Sequence, residues 1–268
     1  MRSPASAFDL RAAMTEEIRA ALGELEAAPA KAKAVHRCRV RLKRARALAR
    51  LGRACAPGLA AAFNQSARTA MRALAPERDL AASAGAARRL ARKSGGKSAA
   101  ALAALAHGLD CARAALAPPN PDFASASLKD LLALAQVWPQ ASARQIAKGA
   151  HRLARRARRA RRRGRIAGAP ARRHEWRKCE KDRLYTVTLL GKTWPQRRKR
   201  RRKQSKQLSL LLGRERDALL LIERVTANPA LAGSAQGGQR ALKALKRHAE
   251  RLARRANAAG AKLHAGGA

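Results

Sequence analysis

Five basic side chains follow one another early in the chain at alternating spacings of three and four. They are His36, Arg39, Lys43, Arg46 and Arg50. At about 100° per residue these positions fall within an arc of roughly 80°, so a helix presents them as one cationic stripe. Arginine can bind two oxygens of a phosphate with its planar fork, whereas lysine acts as a point charge. Cations one helical turn apart suit a linear polymer that offers negative oxygens at regular intervals.

A neighbouring stripe on the same segment is apolar. Val35, Cys38, Leu42, Ala45 and Ala49 lie beside the cations at helical spacing. An amphipathic helix buries such a stripe against other helices. We therefore predict that this segment is one helix of a bundle.

The cationic pattern recurs 138 positions later. His174, Arg177 and Lys181 repeat the first turns of the stripe, and Tyr185 continues it. One histidine alone more often packs or caps a helix than binds a ligand. Two histidines at equivalent places, each at the head of a basic row, favour a binding role.

A second match at the same offset needs no gap. The triplet Glu77–Asp79 aligns with the triplet Glu215–Asp217. Acidic residues near a helix start stabilise its positive end. Asp79 and Asp217 are therefore predicted to orient neighbouring basic side chains or to cap helices, and the arginines beside them to reach a ligand.

These matches predict two copies of one helical unit. We expect a single domain over 1–268 whose internal halves are about 1–119 and 120–268, joined at the proline-rich segment Pro118–Pro121. Two copies that pack on each other give a pseudo-two-fold arrangement, in which both motifs face one shared surface.

The elements that carry these side chains are predicted to be helices. Ala, Leu, Arg, Lys and Glu dominate and favour helix, while no stretch alternates apolar with polar residues as a strand does. Proline and glycine divide the chain into segments of helical length, one ending near 211 and the next beginning near 215. The predicted fold class is all-α.

The overall charge indicates the kind of partner. The chain has 60 Lys and Arg against 17 Asp and Glu, a formal net charge of +43. Such an excess repels itself strongly, so the expected partner is a polyanion. The hydrophobic fraction of 47% is that of a globular protein, and the aromatic fraction of 3% makes base-stacking platforms scarce. Trp138, Trp176 and Trp194 are predicted to be core residues.

Two denser basic segments offer a competing location for the site. Arg152–Arg165 has nine arginines in fourteen positions, and Arg197–Lys203 is an unbroken run of seven basic residues. No acidic residue occurs between 131 and 174. Either segment is a solvated helical face, or it binds a polyanion through its greater number of charges.

Several classes of protein are not expected. No run of about 18 apolar residues is present, and the N-terminus lacks the apolar core of a signal peptide, so we expect neither a membrane protein nor a secreted one. The four cysteines show no CxxC spacing and the histidines no HxxxH pair, so we expect no disulfide framework, no metal site and no cofactor. A reducing cytoplasm fits this pattern.

The first motif resembles the signature of the CHAD family, the conserved histidine α-helical domain. The stretch that carries the resemblance is Val35–Arg46. The family pairs this motif with a second His-x-x-Arg-x-x-x-Lys helix that ends in tyrosine, which His174, Arg177, Lys181 and Tyr185 match.

A short Leu-Gly-x-x-Arg-Asp element adds to the resemblance. Leu212–Asp217 is similar to it, and Leu74–Asp79 is similar more loosely, because Ala75-Pro76 replaces the glycine. The second motif also has Arg183-Leu184 where the family usually has Leu-Arg. The resemblance covers nearly the whole chain, so we expect a stand-alone CHAD protein without an attached triphosphatase domain.

The resemblance implies a fold and a ligand. The fold is a pair of pseudo-symmetric four-helix bundles with a basic surface or pore between them. The ligand is inorganic polyphosphate, bound without catalysis, and the location is the cytoplasm at polyphosphate granules, with granule-associated proteins as further partners. The stripes and the resemblance together predict these polyphosphate-binding residues: His36, Arg39, Lys43, Arg44, Arg46, Arg50, Arg68, Arg78, His174, Arg177, Lys181, Lys206 and Arg216.

Two other functions stay open at this point. A non-specific nucleic-acid-binding protein would share the charge and would bind at low salt, although no nucleic-acid-binding signature is present. An enzyme that acts on polyphosphate or nucleotides would need clustered carboxylates, and the acids here are scattered. We therefore expect no enzyme.

Overall fold

The computed structural model describes residues 8–28, 32–116, 121–166, 170–191 and 198–265. Within these ranges ten α-helices and two short 3-10 helices, Gly52–Ala54 and Pro229–Ala232, account for nearly every residue, and no strand occurs. The all-α prediction is confirmed. None of the helices in these ranges is both long and apolar enough to cross a membrane. The α-helices are α1 Leu10–Ala27, α2 Ala32–Leu51, α3 Pro57–Ala73, α4 Pro76–Ala91, α5 Gly96–Ala114, α6 Pro121–Gln136, α7 Ala143–Gly164, α8 Pro170–Leu189, α9 Arg198–Ala227 and α10 Ala235–Ala265.

Local sequence signals explain several helix starts. Asp9 caps α1, where its side chain accepts a hydrogen bond from the backbone N–H of Ala12. Ser142 and Gln145 form a reciprocal capping box at the start of α7. Pro57 is in the first turn of α3, where its missing N–H costs nothing.

One predicted helix boundary is wrong. The expected break between 211 and 215 does not exist, because α9 runs without interruption through Gly213. The equivalent point of the first half is broken between α3 and α4, directly before Pro76. Proline ends a helix because it lacks an N–H and clashes with the preceding turn, whereas a glycine inside a helix costs only about 1 kcal/mol. Arg214 takes the place of that proline in the second half.

A first hydrophobic core lies between α1, α2, α3 and α6. The apolar stripe of α2 faces this core, as predicted: Cys38, Leu42 and Ala45 are fully buried. Trp138, which follows α6, packs its ring edge-on against Phe63 at a centroid distance of 6.2 Å. Cores of this kind fix the rotation of each helix and thereby the direction of its charged face.

Two further cores lie along the long helices α9 and α10. One packs α4 and α5 against the end of α9 and the start of α10. The other surrounds the fully buried Trp176 with side chains of α7, α8, α9 and α10. Trp138 and Trp176 are core residues, as predicted, and Trp194 lies outside the described residues.

The cores do not follow the division of the sequence into halves. Helix α6 comes after residue 120 yet packs with α1 and α3, while α4 and α5 pack with α9 and α10. Helices α2 and α8 begin and end 138 positions apart, the offset at which the sequence motifs match. The pseudo-two-fold relation of two bundles stays a prediction.

Helix α7 crosses the end of α2 at very short range. A Cβ atom added at Gly149 would lie 2.1 Å from the carbonyl oxygen of Leu51. Real atoms do not approach so closely, so only glycine allows this crossing. The contact brings the basic face of α7 next to the last turn of α2.

We expect Gly149→Ala to destabilise the protein by about 1–3 kcal/mol, the usual cost of adding atoms to a filled contact. Gly23→Ala is the matched control, because Gly23 is also within a helix but has nothing within 4 Å of the added Cβ. The control should be neutral or more stable by up to about 1 kcal/mol. Urea unfolding followed by circular dichroism measures both. Equal stabilities of the two variants would contradict the close crossing.

Candidate functional site

The two predicted stripes meet where α2 packs against α8. Lys43 lies at this point, half-buried. Burial, followed by the positive charges of Arg78, Arg39, Arg177 and Lys181, lowers the pKa of Lys43 to about 7. Side chains of α2, α4 and α8 therefore converge on one small region.

We call this region the central cluster. Its members come from both copies of the motif. They lie close enough together for their positive charges to lower the pKa values of their neighbours. They are His36, Arg39, Lys43, Arg78, His174, Arg177, Lys181 and Arg216.

The first half of the cluster is held by backbone and by one carboxylate. Arg39 is only 7% exposed, and its guanidinium donates to the carbonyl oxygen of Met71. Asp79 Oδ1 lies 2.8 Å from Arg78 Nη1 and 3.9 Å from Arg39 Nη2. Asp79 therefore orients two cluster arginines, the role predicted for it.

The second half is packed around Arg177. Its Nε lies 3.9 Å from the position of a Cβ on Gly213, so the guanidinium passes over the glycine of the Leu-Gly element. Burial lowers the pKa of Arg177, and the nearby carboxylate of Asp217 opposes that shift. Lys181 places its ammonium 5.5 Å from the ring centroid of Tyr185, within cation–π distance.

The pKa values of both histidines are lowered. Burial and then Arg216, Lys178 and Arg177 lower the pKa of His174 to about 4. Partial burial, followed by the positive charge of Arg78, lowers the pKa of His36, even though much of this residue is exposed to solvent. The surroundings of both imidazoles therefore disfavour their charged form, a property that the sequence pattern does not reveal.

Three buried nitrogens of the cluster have no hydrogen-bond partner. Among the described residues, Arg39 Nε, Arg177 Nε and His174 Nδ1 are buried without a hydrogen-bond partner. A buried polar group left unpaired costs about 1–3 kcal/mol. Unpaired nitrogens of this kind, held among like charges, have the chemistry of an anion-binding site.

An ion pair that sequence reasoning missed positions the second half. Arg173, next to His174, forms a two-pronged salt bridge with Glu215, next to Arg216, at 2.5 and 2.7 Å. The same guanidinium donates to the Gly164 carbonyl oxygen at 3.0 Å. This buried pair ties α8 to α9 and to the end of α7. The first half has Val35 at the equivalent position, so the repeat gave no signal for it.

Not every predicted residue belongs to the cluster. Arg44 points to the other side of α2, where its guanidinium lies 2.7 Å from Glu17 of α1. Arg68 and Lys206 are exposed on α3 and α9 and contribute no contact to the cluster among the described residues. Arg44 therefore shares helix α2 with the stripe but not its surface, and among the described residues Arg68 acts only on Arg46, whose pKa its charge helps to lower.

Arg46 and Arg50 continue the stripe of α2 away from the cluster. Arg46 Nε donates to Asn64 Oδ1 at 3.3 Å, and burial together with the charge of Arg50 lowers its pKa to about 10. Arg50 pairs with Asp182 of α8 at 2.9 Å. Of the competing basic run Arg197–Lys203, the side chains of residues 197–201 lie outside the described part of the chain.

The fold and the site define an all-helical protein built around a cationic cluster between two helices of a repeat. The model of the CHAD domain matches residues 12–226, so the chain belongs to the CHAD family. This family is associated with polyphosphate binding. No curated protein matches the chain in direct comparison.

We expect Lys43→Met to stabilise the free protein at pH 6.5 and to lose this advantage as the pH rises. The pKa of Lys43 is about 7 in the folded protein and about 10.4 in an unfolded chain, so the unfolded state holds more protons between these values. The cost of the charged lysine is therefore full below pH 7 and disappears towards pH 10. A gain of about 1 kcal/mol raises the melting temperature by roughly 2–4 °C.

Thermal unfolding at pH 6.5, 8 and 9.5 measures this effect. Lys246→Met on the exposed face of α10 is the control, and its melting temperature should follow the wild type at every pH. A Lys43→Met variant that is less stable than the wild type at pH 6.5 would show that the cluster is not under repulsive strain.

Proposed function

We propose that this protein binds inorganic polyphosphate through the central cluster, without catalysis, and that this binding directs it to polyphosphate granules in the cytoplasm. The observation that carries the proposal is the convergence of cations from both repeats on one region that contains unpaired buried donors. Membership in a family associated with polyphosphate binding supports the same ligand.

The shape of the cationic surface favours a linear phosphate chain. The stripe on α2 runs from His36 to Arg50, about 21 Å at 1.5 Å per residue. Lys43 lies among the arginines of α2, α4 and α8, where a bound anion offsets the repulsion between like charges. A polymer with a charge on every unit meets each cation of such a row in turn.

Nucleic acid is the alternative ligand, and the aromatic residues argue against it. Base stacking needs exposed aromatic side chains, each worth about 1–3 kcal/mol per base. Trp138, Trp176 and Phe63 are fully buried, and Tyr185 is occupied by Lys181. Among the described rings Phe123 on α6 is exposed, and α6 packs with α1 and α3 rather than with the helices of the cluster. A phosphate chain without bases needs no such platform.

The carboxylates near the cluster are engaged with arginines, which supports binding without chemistry. Asp79 pairs with Arg78, and Asp217 lies 3.9 Å from Arg89. Metal-assisted phosphoryl transfer needs carboxylates that converge on a cation. Within the described residues no group of three or more His, Cys, Asp or Glu is arranged to hold a metal ion.

We expect the triple variant Arg39→Ala, Lys43→Ala, Arg177→Ala to bind long-chain polyphosphate at least a hundredfold more weakly than the wild type. Each charge-assisted contact is worth about 1.5–3 kcal/mol, and three are removed. The matched control is Lys243→Ala, Arg247→Ala, Arg254→Ala, which removes three exposed cations from α10. Its affinity should stay within about threefold of the wild type. Fluorescence anisotropy with labelled polyphosphate measures both.

A folded triple variant that binds within threefold of the wild type would contradict the proposed site. Arg39 is buried and hydrogen-bonded, so its loss in the triple variant risks a folding defect. A second variant therefore tests the site without changing Arg39. Lys43→Met with Lys181→Met removes two cluster cations whose side chains form no ion pair with a described residue, and it should also weaken binding. In cells, a labelled triple variant should lose its granule localisation.

The affinity for polyphosphate should fall by orders of magnitude as salt rises from about 0.05 to 0.3 M. Each phosphate contact releases a condensed counterion, so several contacts give a steep slope of log K against log salt. A flat slope would show that the cluster cations do not form the binding surface. At about 0.15 M salt, an excess of duplex DNA should not displace bound polyphosphate, and efficient displacement would favour the nucleic-acid alternative.

A further inference from the structure

Helix α7 presents a second row of cations that the central cluster does not include. Lys148, Arg155, Arg159 and Arg162 are exposed and fall within about 60° of one another around the helix, and Arg163 lies beside them. The opposite face of α7 is buried against α8, α2 and the 3-10 helix that follows α2. No acidic residue occurs between 131 and 174, so α7 contains no charge that compensates this row.

The row on α7 is joined to the stripe on α2. The two helices cross where Gly149 meets the carbonyl oxygen of Leu51. At this crossing Arg152 Nη2 donates to the carbonyl oxygen of Arg50 at 2.9 Å. Burial and the nearby charge of Arg53 lower the pKa of Arg152, so a further cation stands at the junction.

The cations therefore form a path rather than two separate patches. It leaves the central cluster at Lys43, follows Arg46 and Arg50 along α2, passes Arg152 at the crossing and continues along α7. Asp182 neutralises part of the path where it pairs with Arg50. At 1.5 Å per residue the α2 part is about 10 Å long and the α7 part, from Arg152 to Arg163, about 16 Å.

We propose that the exposed arginine face of α7 binds a second segment of the same polyphosphate chain that occupies the central cluster, so that the protein selects long chains over short ones. This inference rests on the proposed function. A chain that reaches both segments binds the second one at high effective concentration, which raises its overall affinity without changing either contact. Tripolyphosphate is too short to reach from Lys43 to Arg163 and gains nothing from α7.

Continuity with the cluster is what favours polyphosphate over nucleic acid as the occupant of α7. A duplex is too stiff to follow a row of cations that passes from α2 to α7 at the Gly149 crossing, so it would contact α7 alone and independently of the cluster. A flexible single row of phosphates follows both segments. The two occupants therefore differ in whether the contribution of α7 depends on an intact cluster.

The test uses a quadruple variant of the α7 face, Arg155→Gln, Arg159→Gln, Arg162→Gln, Arg163→Gln. Its matched control is Lys243→Gln, Lys246→Gln, Arg247→Gln, Arg254→Gln, which removes four exposed cations from α10. Binding of tripolyphosphate and of polyphosphate of about one hundred units is measured by calorimetry at several salt concentrations. Circular dichroism confirms that both variants are folded.

For the long chain we expect the α7 variant to bind at least tenfold more weakly and the α10 control to stay within threefold. The slope of log K against log salt should fall by about 3 for the α7 variant, because four phosphate contacts are lost, and should be unchanged for the control. The affinity for tripolyphosphate should be the same within twofold for all three proteins.

Three results would overturn the inference. Equal losses in the α7 variant and the control would show that only net charge matters. An unchanged long-chain affinity and slope in the α7 variant would exclude α7 from the site, and if duplex DNA binding were lost at the same time, the face would belong to nucleic acid. In each of these cases the central-cluster triple variant still reports separately on the proposed function, because its effect does not depend on α7.

Discussion

Repulsion between cations that are held together is the constraint on which this structure depends. Burial, and then the positive charges of Arg78, Arg39, Arg177 and Lys181 around it, lower the pKa of Lys43, so a positive charge at this position is costly. No local interaction would bring these five side chains together. The apolar cores hold α2, α4 and α8 in place, and the cluster exists only because those cores outweigh the repulsion.

The few acidic side chains act mainly behind the cluster. Glu17 pairs with Arg44 on the far side of α2, and Glu215 pairs with Arg173 below His174. Glu180 is fully buried: burial would raise its pKa, but hydrogen bonds from His264 and Arg183 outweigh it and lower the pKa to about 2. These carboxylates fix helices against one another without neutralising the surface that faces a ligand.

The residues of the site show what a sequence can and cannot predict. The arc of His36, Arg39 and Lys43 follows from helical geometry alone, and the charges of Arg177 and Lys181, at the matching positions of the second motif, lie close enough to Lys43 to lower its pKa. Arg44 shares the motif but faces α1, because its direction depends on which stripe of α2 is buried. The Arg173–Glu215 pair depends on how α8 and α9 pack, and neither helix shows it by itself. Helix α9 also continues through Gly213, where the sequence predicted a break. Proline at the equivalent position of the first half ends a helix, whereas a glycine alone does not.

The two copies of the motif differ, and because of this difference the row of cations continues from the cluster along only one of the two helices. On α2 the stripe continues past Lys43 to Arg46 and Arg50, while the equivalent positions of α8 are Leu184 and Thr188. Arg44 is likewise matched by Asp182, whose carboxylate pairs across the interface with Arg50. The second stripe therefore ends at Lys181 beneath Tyr185, and the described cations leave the cluster along α2. Helix α7 crosses α2 at the end of this row of cations, because Gly149 allows the close approach. Among the described helices α7 is the most basic. A single glycine therefore brings the arginines of α7 next to the last cation of the α2 stripe.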